Sequence, residues 1–95
     1  MATYVATDPA SVVREIFREV REIEQVYLSH DGNRGVSALI IIDGKDYAVL
    51  NRIFQQEQII IDAVPGMPIN FDVVIRDGRP LAEVVTPHGR PLFQR

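Results

Sequence analysis

The chain contains no cysteine, no tryptophan and a single lysine, Lys45. The absence of cysteine excludes disulfides, thiolate metal sites and a cysteine nucleophile. In so small a domain it favours a reducing compartment, so we expect a cytoplasmic protein. Proteins that bind the phosphate backbone of a nucleic acid carry clustered lysine and arginine, whereas this chain has a net charge of −3. Nucleic-acid binding is therefore disfavoured.

The sequence also lacks long apolar runs. No stretch approaches the roughly 20 apolar residues of a membrane span. The first residues, MATYVATDPAS, lack the basic and apolar regions of a signal peptide. We therefore expect neither membrane insertion nor secretion. The 95 residues, of which 46% are hydrophobic and 24% charged, predict one globular domain over 1–95.

Two segments show the three-and-four spacing of apolar residues that is typical of an amphipathic helix. The first begins at Asp8-Pro9, an N-cap followed by proline at the first helical position, and its spacing continues to Ile23. The second follows a predicted N-cap at Asp46 and runs from residue 47 to about residue 63. Its predicted core positions are Val49, Leu50, Ile53, Phe54, Ile60, Ile61 and Val64.

One part of the second helix has an alternative interpretation. The β-branched residues Ile59, Ile60 and Ile61 disfavour helix, so a strand over 58–62 competes with the helix. The helical spacing persists to Val64, and for this reason we prefer the helix. The strand stays open as the alternative.

Three segments predict β-strands. Residues 26–28 and the near-continuous apolar run 36–42 flank a loop rich in Gly, Asp and Asn, so these two strands should pair antiparallel, with 36–42 central. Residues 69–76 alternate between apolar and polar side chains, as in a strand with one buried face. Residues 80–84 predict a short helix, and 91–93 predict a docked tail or a short edge strand.

The resulting order, α-β-β-α-β followed by a short helix and strand, predicts an α+β two-layer sandwich with both long helices on one face of a small sheet. The other face would then be bare. Val74 and the unbroken run 39–42 suggest apolar side chains on that second face, and such a patch marks a contact with another protein. Formation of a homodimer would cover it.

The residues at the joints of this order resemble those of the minimal nucleotidyltransferase domain of the DNA polymerase β-like superfamily. Residues 26–28 with 33–35 are similar to the family's V-Y-L-F-G-S-R-A-R-G. The segment SALIII at 37–42 is similar to S-D-I-D-L-L, which places Ala38 and Ile40 where the family has its two metal-binding aspartates. Asp72 takes the position of the third carboxylate.

The resemblance implies the fold together with a loss of activity. The family's phosphoryl transfer needs two Mg²⁺ ions held between carboxylates, and Asp72 alone cannot hold that pair. His30-Asp31 also stands at the Gly-Ser position, whose backbone N–H groups would hold the triphosphate. By analogy with small family members, the domain would be a catalytically inactive interaction or regulatory module, homodimeric or paired with a helical partner like an antitoxin.

Two alternative functions stay open. A residual Mg-nucleotide-binding protein or nucleotidyltransferase enzyme would use Asp72 with Asp43 and His30 as catalytic candidates. It would use Arg34 and Gly35 as nucleotide-binding candidates, and only this hypothesis requires Mg²⁺. The other alternative is a small structural protein without a ligand.

The candidate residues also have ordinary structural interpretations. Asp43 and Asp46 flank a turn, which they can cap or close. Asp72 needs no partner if it is exposed. His30 and His88 lack the spacing of a metal-ligand pair, so we expect no metal site and, outside the enzyme hypothesis, no cofactor.

Overall fold

A computed structural model of the protein describes residues 9–30, 35–84 and 91–94. Its elements are α1 (Pro9–Phe17), β1 (Ile23–His30), β2 (Val36–Ile42), α2 (Tyr47–Ala63), β3 (Ile69–Ile75), α3 (Leu81–Val84) and β4 (Phe93–Gln94). The predicted α+β class and element order are confirmed. Among the described helices, none has both the length and the apolar content needed to cross a membrane.

The strands form one mixed sheet in the order β3-β2-β1-β4. β1 pairs antiparallel with β2, as the short loop between them predicts, and also with the two residues of β4. β3 pairs parallel with β2. A parallel neighbour requires a long crossover, which α2 supplies. β2 therefore has β1 on one side and β3 on the other, as predicted for the central strand.

The core lies between the sheet and the two long helices. Side chains alternate between the faces of a sheet, and the paired residues Ile40–Val73 and Ile42–Ile75 point to the helix layer together. Phe71, next along this face of β3, meets the ring of Phe17 from α1 edge to face at 6.0 Å between centroids. The buried residues of this cluster are Val13, Phe17, Val20, Ile23, Val26, Ile40, Ile42, Val49, Ile53, Ile60 and Val64.

The first helix is shorter than its apolar spacing predicts, and β1 is correspondingly longer. α1 ends at Phe17, after which Val20 N–H bonds the carbonyl of Phe17 and Ile23 N–H bonds that of Val20. These tight turns keep Val20 and Ile23 buried although the chain has left the helix. Ile23 already pairs with Ile42, and β1 extends to His30, which was predicted to lie in a loop.

The second helix is confirmed over its whole predicted length, including 58–62, where a strand was the alternative. Asp46 is its N-cap, and the Asp46 carboxylate accepts hydrogen bonds from the N–H groups of Ala48 and Val49. Ile60 is fully buried. The burial of one isoleucine of the β-branched run outweighs its modest helix-propensity cost.

Gly35 sits where the chain enters β2. Its φ is +108°, a conformation that L side chains rarely adopt, and a Cβ at this position would overlap the carbonyl oxygen of Pro68. The same carbonyl accepts a 3.0 Å hydrogen bond from Val36 N–H. The absence of a side chain at Gly35 thus allows the entry to β3 to lie against the entry to β2.

We predict that Gly35→Ala destabilises the protein by roughly 2–4 kcal/mol, since it adds both a strained φ and a backbone overlap. Chemical denaturation measures the change. Gly44→Ala is the matched control, because a Cβ there would meet nothing within 4 Å and its φ is unremarkable. The control should stay within about 0.5 kcal/mol of the wild type. Equal effects of the two substitutions would contradict the close-approach explanation.

Candidate functional site

The catalytic candidates from the sequence do not come together. His30 pairs with Val36 at the first residue of β2, whereas Asp43 follows the last. With about 3.3 Å per residue along a strand, the two lie roughly 20 Å apart. Asp72 is exposed, as its structural interpretation predicts. Of the nucleotide-binding candidates, Arg34 lies outside the described residues, as does His88, and Gly35 has the packing role described above.

The three positions that the resemblance assigns to metal-binding carboxylates are divided between the two sheet faces. Ala38 and Ile40 are buried and share the helix-facing side with Phe71 and Val73, their partners on β3. Asp72 pairs with Leu39 and therefore points to the opposite side. Asp72 would not share a metal with side chains at positions 38 and 40, whatever those side chains were.

Asp43 has a structural partner at the exit of the central strand. Its carboxylate accepts a 2.8 Å hydrogen bond from Gly78 N–H and lies 3.4 Å from the guanidinium of Arg76. Arg76 also makes two hydrogen bonds to the Glu24 carboxylate, at 3.0 and 3.2 Å, and these raise the pKa of Arg76. Arg76 thereby ties the turn after β3 to β1 and to the end of β2.

A bulge in β1 brings Glu24 within reach of Arg76. The pairing register with β2 shifts between Ile23 and Gln25, so Glu24 is the extra residue. Bulges reorient a side chain in this manner. Glu24 and Arg76 are 52 residues apart in the sequence, and no local pattern in the chain points to their interaction.

An open groove of about 600 Å³ adjoins this ion pair. Its charged lining residues are Arg21, Glu22, Glu24, Asp43, Lys45 and Asp46. Every carboxylate among them has a partner within the protein, Glu22 being held by Arg52 at 2.7 Å, which lowers the pKa of Glu22. Among the described residues there is no group of three or more His, Asp or Glu that could hold a metal ion.

We predict that Arg76→Ala lowers the thermal unfolding midpoint by a few degrees, because it leaves Glu24 and Asp43 without their shared cation. Differential scanning calorimetry measures the change. Arg79→Ala is the control, since Arg79 contributes its backbone carbonyl to Arg76 and its side chain is exposed. A control that unfolds as early as Arg76→Ala would show that the ion pairs are not the cause.

Among the residues that the structure describes, the most exposed large apolar side chains lie along α2. Tyr47, Phe54 and Ile61, which we call the α2 stripe, are 71%, 53% and 45% exposed. They are spaced seven residues apart, which is close to two helical turns, so they form one line about 21 Å long. The core-facing line of the same helix contains Val49, Ile53 and Ile60. The expectation that Phe54 and Ile61 face the core is therefore wrong.

As predicted, the second face of the sheet carries apolar side chains, but it is not bare. Tyr27 lies beside Leu39, and Ile41 lies beside Val74, all on this face. Ile41 is only 1% exposed and Tyr27 only 9%, while Leu39 and Val74 are half-buried. The large uncovered patch expected here is thus absent from the described part of this face, and the exposed apolar surface lies on α2 instead.

The surroundings of the α2 stripe carry little charge. Asn51, Gln55 and Gln58 are exposed beside it, and the charged residues of α2 are Arg52, Glu57 and Asp62. Arg52 is engaged by Glu22. Glu57 lies between the stripe and the core line, and burial raises the pKa of its carboxyl. The exposed side of α2 therefore has the apolar centre and neutral border that are typical of protein contacts.

In comparisons with family models, with curated proteins and with solved structures, no match to this chain was found.

We predict that Glu57→Gln raises the thermal midpoint at pH 7. Because the folded-state pKa of Glu57 is raised, the neutral carboxyl is favoured in the folded protein, and this stabilisation is lost as pH rises through that pKa. Glutamine is neutral at every pH, so it avoids the free-energy cost of a partly buried, charged carboxylate. The gain should vanish at pH 3, where both side chains are uncharged. Glu19→Gln, at an exposed turn position, serves as the control; a gain that persists at pH 3 would contradict the explanation.

Proposed function

We propose that this protein is a non-catalytic protein-interaction module that docks through the α2 stripe. The observation that carries the proposal is the line of exposed Tyr47, Phe54 and Ile61 on a helix whose other side is firmly anchored in the core. Aromatic side chains in the centre of a low-charge surface are the residues that dominate binding energy at protein contacts. Solvent exposure of such a line is costly unless a partner covers it.

We further propose that the layout is that of a nucleotidyltransferase-like domain without its catalytic carboxylates, acting as a regulator. The element order supports this layout. The apolar residues Ala38 and Ile40, buried on the helix-facing side, support only the absence of catalysis. The placement of Asp72 on the other sheet face supports the non-catalytic part of the proposal. The absence of cysteine supports a role in the cytoplasm.

The test of docking compares two exposed apolar residues of one helix. Phe54 is 53% exposed on the stripe, and Ile59 is 49% exposed on a different side of α2. Tagged wild type, Phe54→Asp and Ile59→Asp are isolated from the cells that express the protein, and association is quantified with itself and with co-purifying proteins. Phe54→Asp should weaken association roughly 30-fold or more, as expected for loss of a central aromatic residue, whereas Ile59→Asp should retain it.

Circular dichroism should show that both variants are folded. Equal behaviour of the two variants, or a wild type that associates with no protein at all, would overturn the proposal.

The enzyme hypothesis gives a separate prediction. Asp72, Asp43 and His30 lie apart from one another, and Asp43 is engaged by Arg76. We therefore expect no binding heat when the protein is titrated with ATP and Mg²⁺ at millimolar concentration. Isothermal titration calorimetry of wild type and Asp72→Ala provides the comparison. Heat in the wild type that is lost in Asp72→Ala would revive the nucleotide-binding alternative.

A further inference from the structure

We infer that the partner of the α2 stripe is a second copy of this chain, whose α2 packs antiparallel with Phe54 on the two-fold axis. This inference rests on the proposed function and names the occupant of the same surface. It follows from three features of α2, namely the symmetry of the apolar spacing, the distribution of charge along the helix, and the size of the surface.

The spacing of the stripe is self-complementary. Tyr47 and Ile61 lie seven residues before and seven residues after Phe54. In an antiparallel pair with Phe54 opposite its counterpart, Tyr47 of each copy meets Ile61 of the other. All three layers are then filled by apolar side chains on both sides. A two-fold interface requires such a self-complementary patch, and residues seven positions apart return to nearly the same side of a helix.

The charges at the two ends of α2 select the antiparallel arrangement. Lys45 lies just before the helix, with its Nζ 5.3 Å from the centroid of the Tyr47 ring. Asp62 lies in the last turn, where the helix dipole already presents negative charge. Antiparallel pairing brings Lys45 of each copy towards Asp62 of the other. It also brings Asp46 near Asp62, but the Asp46 carboxylate is engaged as the N-cap by the N–H groups of Ala48 and Val49. Parallel pairing would instead place lysine beside lysine and aspartate beside aspartate.

In the middle of the helix, Glu57 is charged and lies next to the stripe on its core side, where it is partly buried. Asn51, Gln55 and Gln58 are neutral, and Arg52 is engaged by Glu22 on the side of α2 that faces α1. Gln56, on that same side, donates to the carbonyl of Ile16. These contacts show that α1 occupies one flank of α2, which leaves the flank with the stripe for the second copy.

The size of the surface sets the strength of the dimer. From the exposed fractions of the stripe, roughly 300 Å² of apolar side chain per copy would be covered, with the neutral border adding to it. The stripe alone is smaller than the roughly 1,200 Å² in total that stable specific interfaces bury, so a contact of this size is weak or transient. We therefore expect a dissociation constant in the micromolar range, with monomer and dimer in exchange.

The register can be tested by disulfide formation, since the chain has no cysteine of its own. Tyr47→Cys and Ile61→Cys are purified separately, mixed at high micromolar concentration and oxidised. The mixture should yield a disulfide dimer between the two variants, because the two introduced thiols face each other across the antiparallel pair. Each variant alone should yield much less. Efficient crosslinking of each variant alone would indicate a parallel pair and overturn the proposed arrangement.

Sedimentation equilibrium of the purified protein tests the partner itself. Wild type and Ile59→Asp should reversibly dimerise, and Phe54→Asp should be monomeric. A wild type that is monomeric at high micromolar concentration would overturn the inference that the partner is a second copy. The proposed function would still stand if the protein associated with another protein and that association depended on Phe54. A dimer that is insensitive to Phe54→Asp would also overturn the inference, because its interface would lie off the stripe.

Discussion

The pairing of β2 on both of its edges is the constraint on which the rest of the structure depends. At its entry, Val36 N–H donates a hydrogen bond to the carbonyl of Pro68, which can lie this close because Gly35 has no Cβ. At its exit, the N–H groups of Arg76 and Asp77 bond the carbonyls of Ile42 and Asp43 at 2.8 and 2.6 Å. The strand is therefore fixed at both ends, and its register with β1 and β3 decides which side chains face the helices.

That register explains why the central strand is apolar where the resemblance would place aspartates. Ile40 is fully buried on the helix-facing side, between Val26 and Val73. A carboxylate at this position would lose its hydration and find no cation among the core residues of the helices, and such a charge is strongly destabilising. Within this fold, the apolar residues at 38 and 40 follow from core packing, and the acidic residues nearby serve as caps and ion-pair partners.

Much of the fold could be predicted because its signals are local. The cap at Asp46, the spacing of α2 and the alternation of β3 each lie within one element. The end of α1 could not be predicted, since tight turns bury Val20 and Ile23 as a helix would. The α2 stripe was missed for a related reason. Apolar residues cover more than half of the circumference of α2, and spacing alone does not tell which line a neighbouring element will cover.

One edge of the sheet is protected against pairing with a strand of another chain. β3 is an edge strand, and among the described residues no strand pairs with its outer side. Its exposed positions are Asn70 and Asp72, and a charge on an edge strand opposes pairing with another chain. At the opposite edge, β4 has only two residues and pairs with Gln25 and Val26 of β1. Asp72 thus has an explanation that involves no metal, because it helps to protect the β3 edge. Among the described residues, the α2 stripe is the long line of exposed apolar side chains that a partner could cover.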